Sequence, residues 1–120
     1  MVRSLTNRTG ANSPLGIGRA AAYQYAENGP RALYICDRDS EHLESYRREM
    51  SERHPDVEVH ARAFDAADED GVRTVVNDAV TRYGRLDVFF ANAGIVGPHR
   101  AFSDFTKEEF LKVLDVNVTR

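Results

Sequence analysis

The chain has 120 residues, 42% hydrophobic and 29% charged, the length and composition of one modest soluble globular domain. A net charge of −3 provides no basic field for nucleic acid or an anionic membrane surface. No apolar stretch is long enough to span a bilayer, and the single cysteine excludes an internal disulfide framework and fits a reducing, cytoplasmic setting.

The first segment, Met1 to Arg8, has no apolar signal-peptide core. Only Val2 and Leu5 are apolar where a first strand is expected, so that strand is expected to be weak. Next comes a glycine-rich turn, Thr9-Gly10-Ala11-Asn12-Ser13-Pro14-Leu15-Gly16-Ile17-Gly18-Arg19. Glycines there let a backbone approach phosphates closely, and a following helix offers unpaired N–H groups and the positive end of its dipole. Gly16 to Asn28 is the predicted helix, with Ile17, Ala20, Ala21 and Tyr25 as its apolar stripe and Gly29 as its C-terminal stop.

Arg31 to Cys36 reads as a short strand whose near-continuous apolar run suits burial on both faces of a parallel sheet. Cys36 in that run is expected to be inert packing. Asp39 or Ser40 is the expected cap of a second helix carrying Leu43, Tyr46 and Met50 and ending near Pro55. Val57, Val59 and Ala61 alternate with polar residues, as in a strand nearer the sheet edge. A third helix follows Asp68, with Val72, Val75, Val76, Ala79 and Tyr83 on one side and Gly84 closing it. Leu86 to Ala91 is the next expected buried strand. In the last helix Thr106 and Glu109 form a capping-box pair, with Phe105 and Phe110 at the staple positions and Phe110, Val113, Leu114 and Asn117 on one face. His42, His54, His60 and His99 lack metal-ligand spacing. The β-α-β-α-β-α order implies right-handed crossovers and a parallel α/β sheet.

Four acids and amides stand where such a sheet presents its ligand crevice, each with a plainer alternative. Asp37 ends the second strand, where a carboxylate accepts both hydroxyls of an adenosine ribose and repels a 2′-phosphate; otherwise it is a helix-capping or turn aspartate. Arg38 beside it either stacks on adenine or offsets the acid and admits a 2′-phosphate. Asp65, followed by Ala66, either accepts from an adenine amino group or is a helix-start charge. Asn92, with Ala93 and Gly94, either lets a ligand lie against small residues or is an ordinary Asn/Gly turn. Asn117 is an amide on an apolar helical face. It either bonds neighbouring backbone and organises a site or lies at a frayed end.

These motifs, TG…GIG, D, D-A, NAG and V-N, resemble the N-terminal half of the short-chain dehydrogenase/reductase family from about Thr9 to Arg120. The most specific parts are GRLDVFFANAGI (Gly84 to Ile95) and FTKEEFLKVLDVNV (Phe105 to Val118). The resemblance implies a Rossmann-type, doubly wound parallel sheet, incomplete, with residues 1–120 as a partial NAD(P)-binding domain. It implies NAD as cofactor, with NADP as the alternative. Gly10, Gly16, Ile17 and Gly18 would take the phosphates and Asp37 and Arg38 the ribose end. Asp65 and Ala66 would take adenine, and Asn92, Ala93 and Gly94 the cofactor's central wall. Asn117 corresponds to the family's catalytic-tetrad asparagine.

Three features depart from the family pattern. Gly10 and Gly16 are separated by five residues, where the family loop is usually G-x-x-x-G-x-G. The first strand is polar. The family's Tyr-x-x-x-Lys pair is absent: four residues before Lys107 and Lys112 stand Ser103 and Glu108. The implied function is hydride transfer between a nicotinamide and a carbonyl or alcohol, with this chain supplying the cofactor half and inert alone. The small-molecule substrate then belongs to a complete enzyme, and neither nucleic acid nor membrane is an expected partner. The alternatives are a non-catalytic nucleotide-binding module or an inactive truncated product. In isolation the chain is expected to be marginally stable, to expose apolar surface and to bind NAD weakly or not at all, with Leu33, Ile35, Val88 and Phe90 short of cover.

Overall fold

The computed structural model describes residues 2–7 and 16–119. Strands and helices alternate: β1 (Val2–Asn7), α1 (Ile17–Glu27), β2 (Ala32–Asp37), α2 (Leu43–Arg53), β3 (Glu58–Ala63), α3 (Glu69–Tyr83) and β4 (Val88–Ala91). A short 3-10 turn (Phe102–Asp104), α4 (Lys107–Leu114) and a π-helical turn (Asp115–Thr119) follow. The four strands form one sheet in the order β3-β2-β1-β4, and every pairing is parallel. Leu5 lies opposite Ile35 on one side and Phe90 on the other. The chain thus winds outward from β1 through β2 to β3, then crosses back to lay β4 on the far side of β1. β1, polar as its sequence is, runs its full length at the centre of the sheet.

β2 is buried throughout, and the two faces of its apolar run feed two separate clusters. Leu33 and Ile35 pack with Ala22 and Ala26 of α1, Leu43, Tyr46 and Met50 of α2, and Val57 and Val59. Ala32, Tyr34 and Cys36 pack with Val75 and Ala79 of α3. Each large side chain removed from water in this way contributes about 1.5–3 kcal/mol. The expected shortage of cover is therefore absent at Leu33 and Ile35, which are fully buried. It appears instead on β4, where Val88 and Phe90 are half-buried and Phe89 is exposed. The buried strand expected over Leu86 to Ala91 is shorter, beginning at Val88, and only partly covered.

Three local expectations need correction. The buried line of α1 is Gly18, Ala22 and Ala26, not the expected stripe, and Ile17 is 72% exposed. Small residues at that spacing let the helix lie close to the sheet. Neither Asp39 nor Ser40 caps α2, which starts behind His42 without a side-chain cap. The Asp39 carboxylate accepts from the Glu41 amide instead, closing an Asx-type turn. At α4 the capping box forms as read. Phe105 and Phe110 both rest on Phe102, with ring centroids 5.5 and 5.7 Å away, so the staple is bridged by a third ring. The α3 limits agree with the sequence: the Asp68 side chain caps the Asp70 amide, and Gly84 closes the helix at φ 78°, a left-handed conformation suited to glycine.

Cys36 is packed in the core, where burial pushes its thiol up to about 12, consistent with an inert residue. Behind it the Tyr34 hydroxyl donates to Asp78 Oδ2 at 2.8 Å, which ties β2 to α3 across the sheet.

Candidate dinucleotide site

In a parallel sheet every strand delivers its carboxyl end to the same rim, and the strand order reverses between β1 and β4. Ligands settle in the crevice at such a reversal, because the connections on its two sides run in opposite directions and leave a gap. Asp37 closes β2, Asp65 and Ala66 follow β3, and Asn92, Ala93 and Gly94 follow β4 at this rim. Gly10 and the rest of residues 8–15 fall outside the described residues. Gly16, Ile17 and Gly18 form the N-cap and first residues of α1.

The start of α1 differs from those of the other described α-helices. Its first turn carries no acid. Acids stand in the first turns of α2, α3 and α4 (Glu44; Glu69 and Asp70; Glu108 and Glu109). An acid-free first turn leaves the positive end of the helix dipole unopposed by its own side chains, which fits a pyrophosphate.

Asp37 ends β2 and is 5% exposed. Its Oδ1 accepts the Asp39 amide at 3.0 Å, and its backbone carbonyl accepts the Phe64 amide at 3.0 Å. These bonds fix the carboxylate at the rim, with Arg38 exposed beside it. Beyond β3, Asp65 accepts the Ala67 amide at 3.0 Å through Oδ1, and Ala66 is half-buried in the same turn. The helix-start alternative for Asp65 does not fit its place, since Asp68 caps α3. Beyond β4, Asn92, Ala93 and Gly94 are half-buried.

Asn117 lies in the π-helical turn that follows α4. Its Oδ1 accepts from the Ile95 amide at 2.8 Å, and its Nδ2 donates to the Ile95 carbonyl at 2.9 Å. The amide thus acts as a short strand partner for the backbone after β4. Asn117 is exposed, and these two bonds to neighbouring backbone are what its side chain makes. Gly94 must be small for the same reason: a Cβ there would lie 3.2 Å from Asn117 Oδ1.

Sequence reasoning did not identify Ile95 as the partner, because a backbone acceptor leaves no residue-type signal. Gly97 was also missed. A Cβ there would sit 2.5 Å from the Phe105 ring, so the connection to α4 folds tightly only over glycine. Among the described residues no cluster of three His, Cys, Asp or Glu could hold a metal, and no helix is long and apolar enough to cross a membrane.

Comparison with known proteins agrees with this geometry. Residues 8–120 match the family described as short chain dehydrogenase. Levodione reductase of Leifsonia aquatica is 40% identical over 110 residues, 92% of this chain and 40% of that protein. A crystal structure of levodione reductase superposes with a TM-score of 0.78 at 38% identity, covering 98% of this chain and 44% of that one. An NADP-dependent mannitol dehydrogenase of Alternaria alternata is 32% identical over 111 residues, 92% of this chain and 41% of that protein. The chain therefore spans about two-fifths of the length of these relatives. With the β3-β2-β1-β4 sheet, the rim it builds and a family match over nearly its whole length, this chain belongs to the short chain dehydrogenase family.

Proposed function

We propose that the rim binds a nicotinamide dinucleotide, NAD in preference to NADP, and that the chain serves an oxidoreductase acting on a carbonyl or alcohol. The observation that carries this reading is the pairing of an acid-free first turn of α1 with a buried carboxylate, Asp37, at the end of the neighbouring strand. Gly10, Gly16, Ile17 and Gly18 would hold the pyrophosphate. Asp37 would accept the adenosine ribose hydroxyls, and Arg38 would lie over the adenine end. Asp65 and Ala66 would border the adenine, and Asn92, Ala93 and Gly94 would form the wall beneath the middle of the cofactor.

When bound, the nicotinamide supplies a site for hydride gain or loss. Asn117 keeps the Gly94–Ile95 backbone in place beside it, a positioning role within the catalytic machinery. No tyrosine in the sequence has lysine four residues later, so the chain supplies no phenol–ammonium pair for proton transfer.

The test is cofactor preference. Titration of the chain with NADH and with NADPH, followed by nicotinamide fluorescence, should show tighter NADH binding. Asp37→Ser should move the ratio toward NADPH by on the order of tenfold or more, because a carboxylate facing a 2′-phosphate is a like-charge pair. An unchanged ratio would remove Asp37 from the ribose site. Turnover of a carbonyl substrate by the purified chain would overturn the absence of a proton donor.

A further inference from the structure

The first turn of α1 is bound to α2 by three contacts that the rim does not use. The Arg19 guanidinium donates through Nη2 to Glu49 Oε2 at 2.7 Å. It also lies over the Tyr46 ring, 4.7 Å from the centroid. The Tyr46 hydroxyl donates to the Arg19 backbone carbonyl at 3.1 Å. Glu49 is held in turn by Arg53 at 3.1 Å, and Tyr23 packs edge-on against Tyr46 at 5.7 Å. A cation in the first turn of a helix opposes the dipole, so Arg19 gains nothing from its place in α1 itself. Its partners on α2 account for its position.

α1 begins at the end of the rim read above as the pyrophosphate side, and α2 begins at Leu43, six positions after Asp37. The Arg19–Tyr46–Glu49 contacts join the first turn of α1 to the helix that follows the Asp37 turn. Resting on the dinucleotide reading above, we propose that Arg19 and Tyr46 are positioning residues that set the separation between the pyrophosphate end of α1 and the ribose carboxylate Asp37. A ligand that reaches only one of these points is indifferent to their separation. A ligand that bridges both loses contact when the span drifts.

The experiment compares ADP, which bridges the two points, with adenosine, which reaches only the Asp37 side. Affinities are measured by calorimetry or ligand-observed NMR on the chain and on Arg19→Met, Arg19→Lys and Tyr46→Phe. Tyr46→Phe keeps the ring in the core and removes only the hydroxyl, so it serves where an Arg19 variant fails to melt cooperatively. Tyr46→Phe and Arg19→Met should weaken ADP by about 3- to 10-fold, the size of one net hydrogen bond, and leave adenosine unchanged. Arg19→Lys should recover part of the ADP loss. Equal weakening of both ligands, or no change in either, overturns the positioning role while leaving the site itself standing. Failure of the unsubstituted chain to bind either ligand overturns the dinucleotide reading and this inference with it.

Discussion

The two sides of β1 are built differently. On the β2–β3 side, Leu33, Ile35, Tyr34, Met50 and Ala79 are sealed from water by three helices. On the β4 side, α4 has no buried residue, while Phe102, Phe110, Leu111 and Leu114 are exposed. What shapes the second side is a set of specific local contacts. The Thr106–Glu109 capping box, the ion pair of Arg100 with Glu109, the fit of Gly97 under Phe105 and the Asn117 bonds to Ile95 each fix geometry without enclosing a core. One region is stable through burial and the other is specified through directional bonds. The rim joins both.

Substitutions test this contrast by their size. Leu33→Ala should be the largest, costing about 2–5 kcal/mol in a denaturant melt through lost burial and a residual cavity. Leu111→Ala on α4 should change stability by less than about 0.5 kcal/mol. Comparable losses at the two leucines would erase the distinction. Gly97→Ala should come next, at about 1–3 kcal/mol, because the added methyl meets the Phe105 ring at 2.5 Å. Its effect should be concentrated in hydrogen exchange between residues 95 and 106. Thr106→Ala should cost about 1 kcal/mol and fray the start of α4 alone.

The smallest expected effect concerns pH on the sealed side. His60 stacks on Tyr34, with ring centroids 4.6 Å apart. Its Nε2 meets the Tyr83 hydroxyl at 2.6 Å, and that hydroxyl donates to Glu58 Oε2 at 2.6 Å. With the Tyr83 proton directed at Glu58, Nε2 is the donor to Tyr83. Burial, then the nearby Arg62 and Arg82, hold His60 below its ordinary value of 6.5, with Asp78 and Glu58 acting the other way. The folded chain therefore takes up this proton later than the unfolded one. The stability it contributes is complete above pH 6.5 and is lost as the pH falls through the lower folded value. Thermal midpoints measured from pH 7.5 to 5 should decline for the wild-type chain and decline less for His60→Gln. Parallel curves would show that another group carries the slope.

Much of the sealed side was legible in the sequence because its signals are periodic. Leu43, Tyr46 and Met50 follow one face of α2 and are buried together, while Asp68 and Gly84 mark the ends of α3. α1 misled because its true contact line is Gly18, Ala22 and Ala26. Small residues have little hydrophobic weight, and Ile17 beside them drew the stripe to the wrong face. α2 misled at its start because two successive aspartates, Asp37 and Asp39, satisfy backbone amides two residues on rather than a helix end.

On the rim, the positions of Asp37 and Asn92 followed from strand ends. The bonds of the Asn117 amide to the Ile95 backbone did not, and neither, within the core, did the bond from Tyr34 to Asp78 across 44 positions of sequence. Such pairings are consequences of topology and leave no local pattern.

The close approach of Gly94 to the Asn117 amide has a consequence for how this rim can change over generations. The room at position 94 and the reach of position 117 are one steric decision written at two distant codons. A methyl added at 94 meets the amide oxygen and is unfavourable while asparagine remains. With a shorter residue already at 117, the same methyl finds space, though the tie to Ile95 is gone. The effects of the two substitutions will not add. A change at either position alters the room at the other, through a contact between residues that no local motif links.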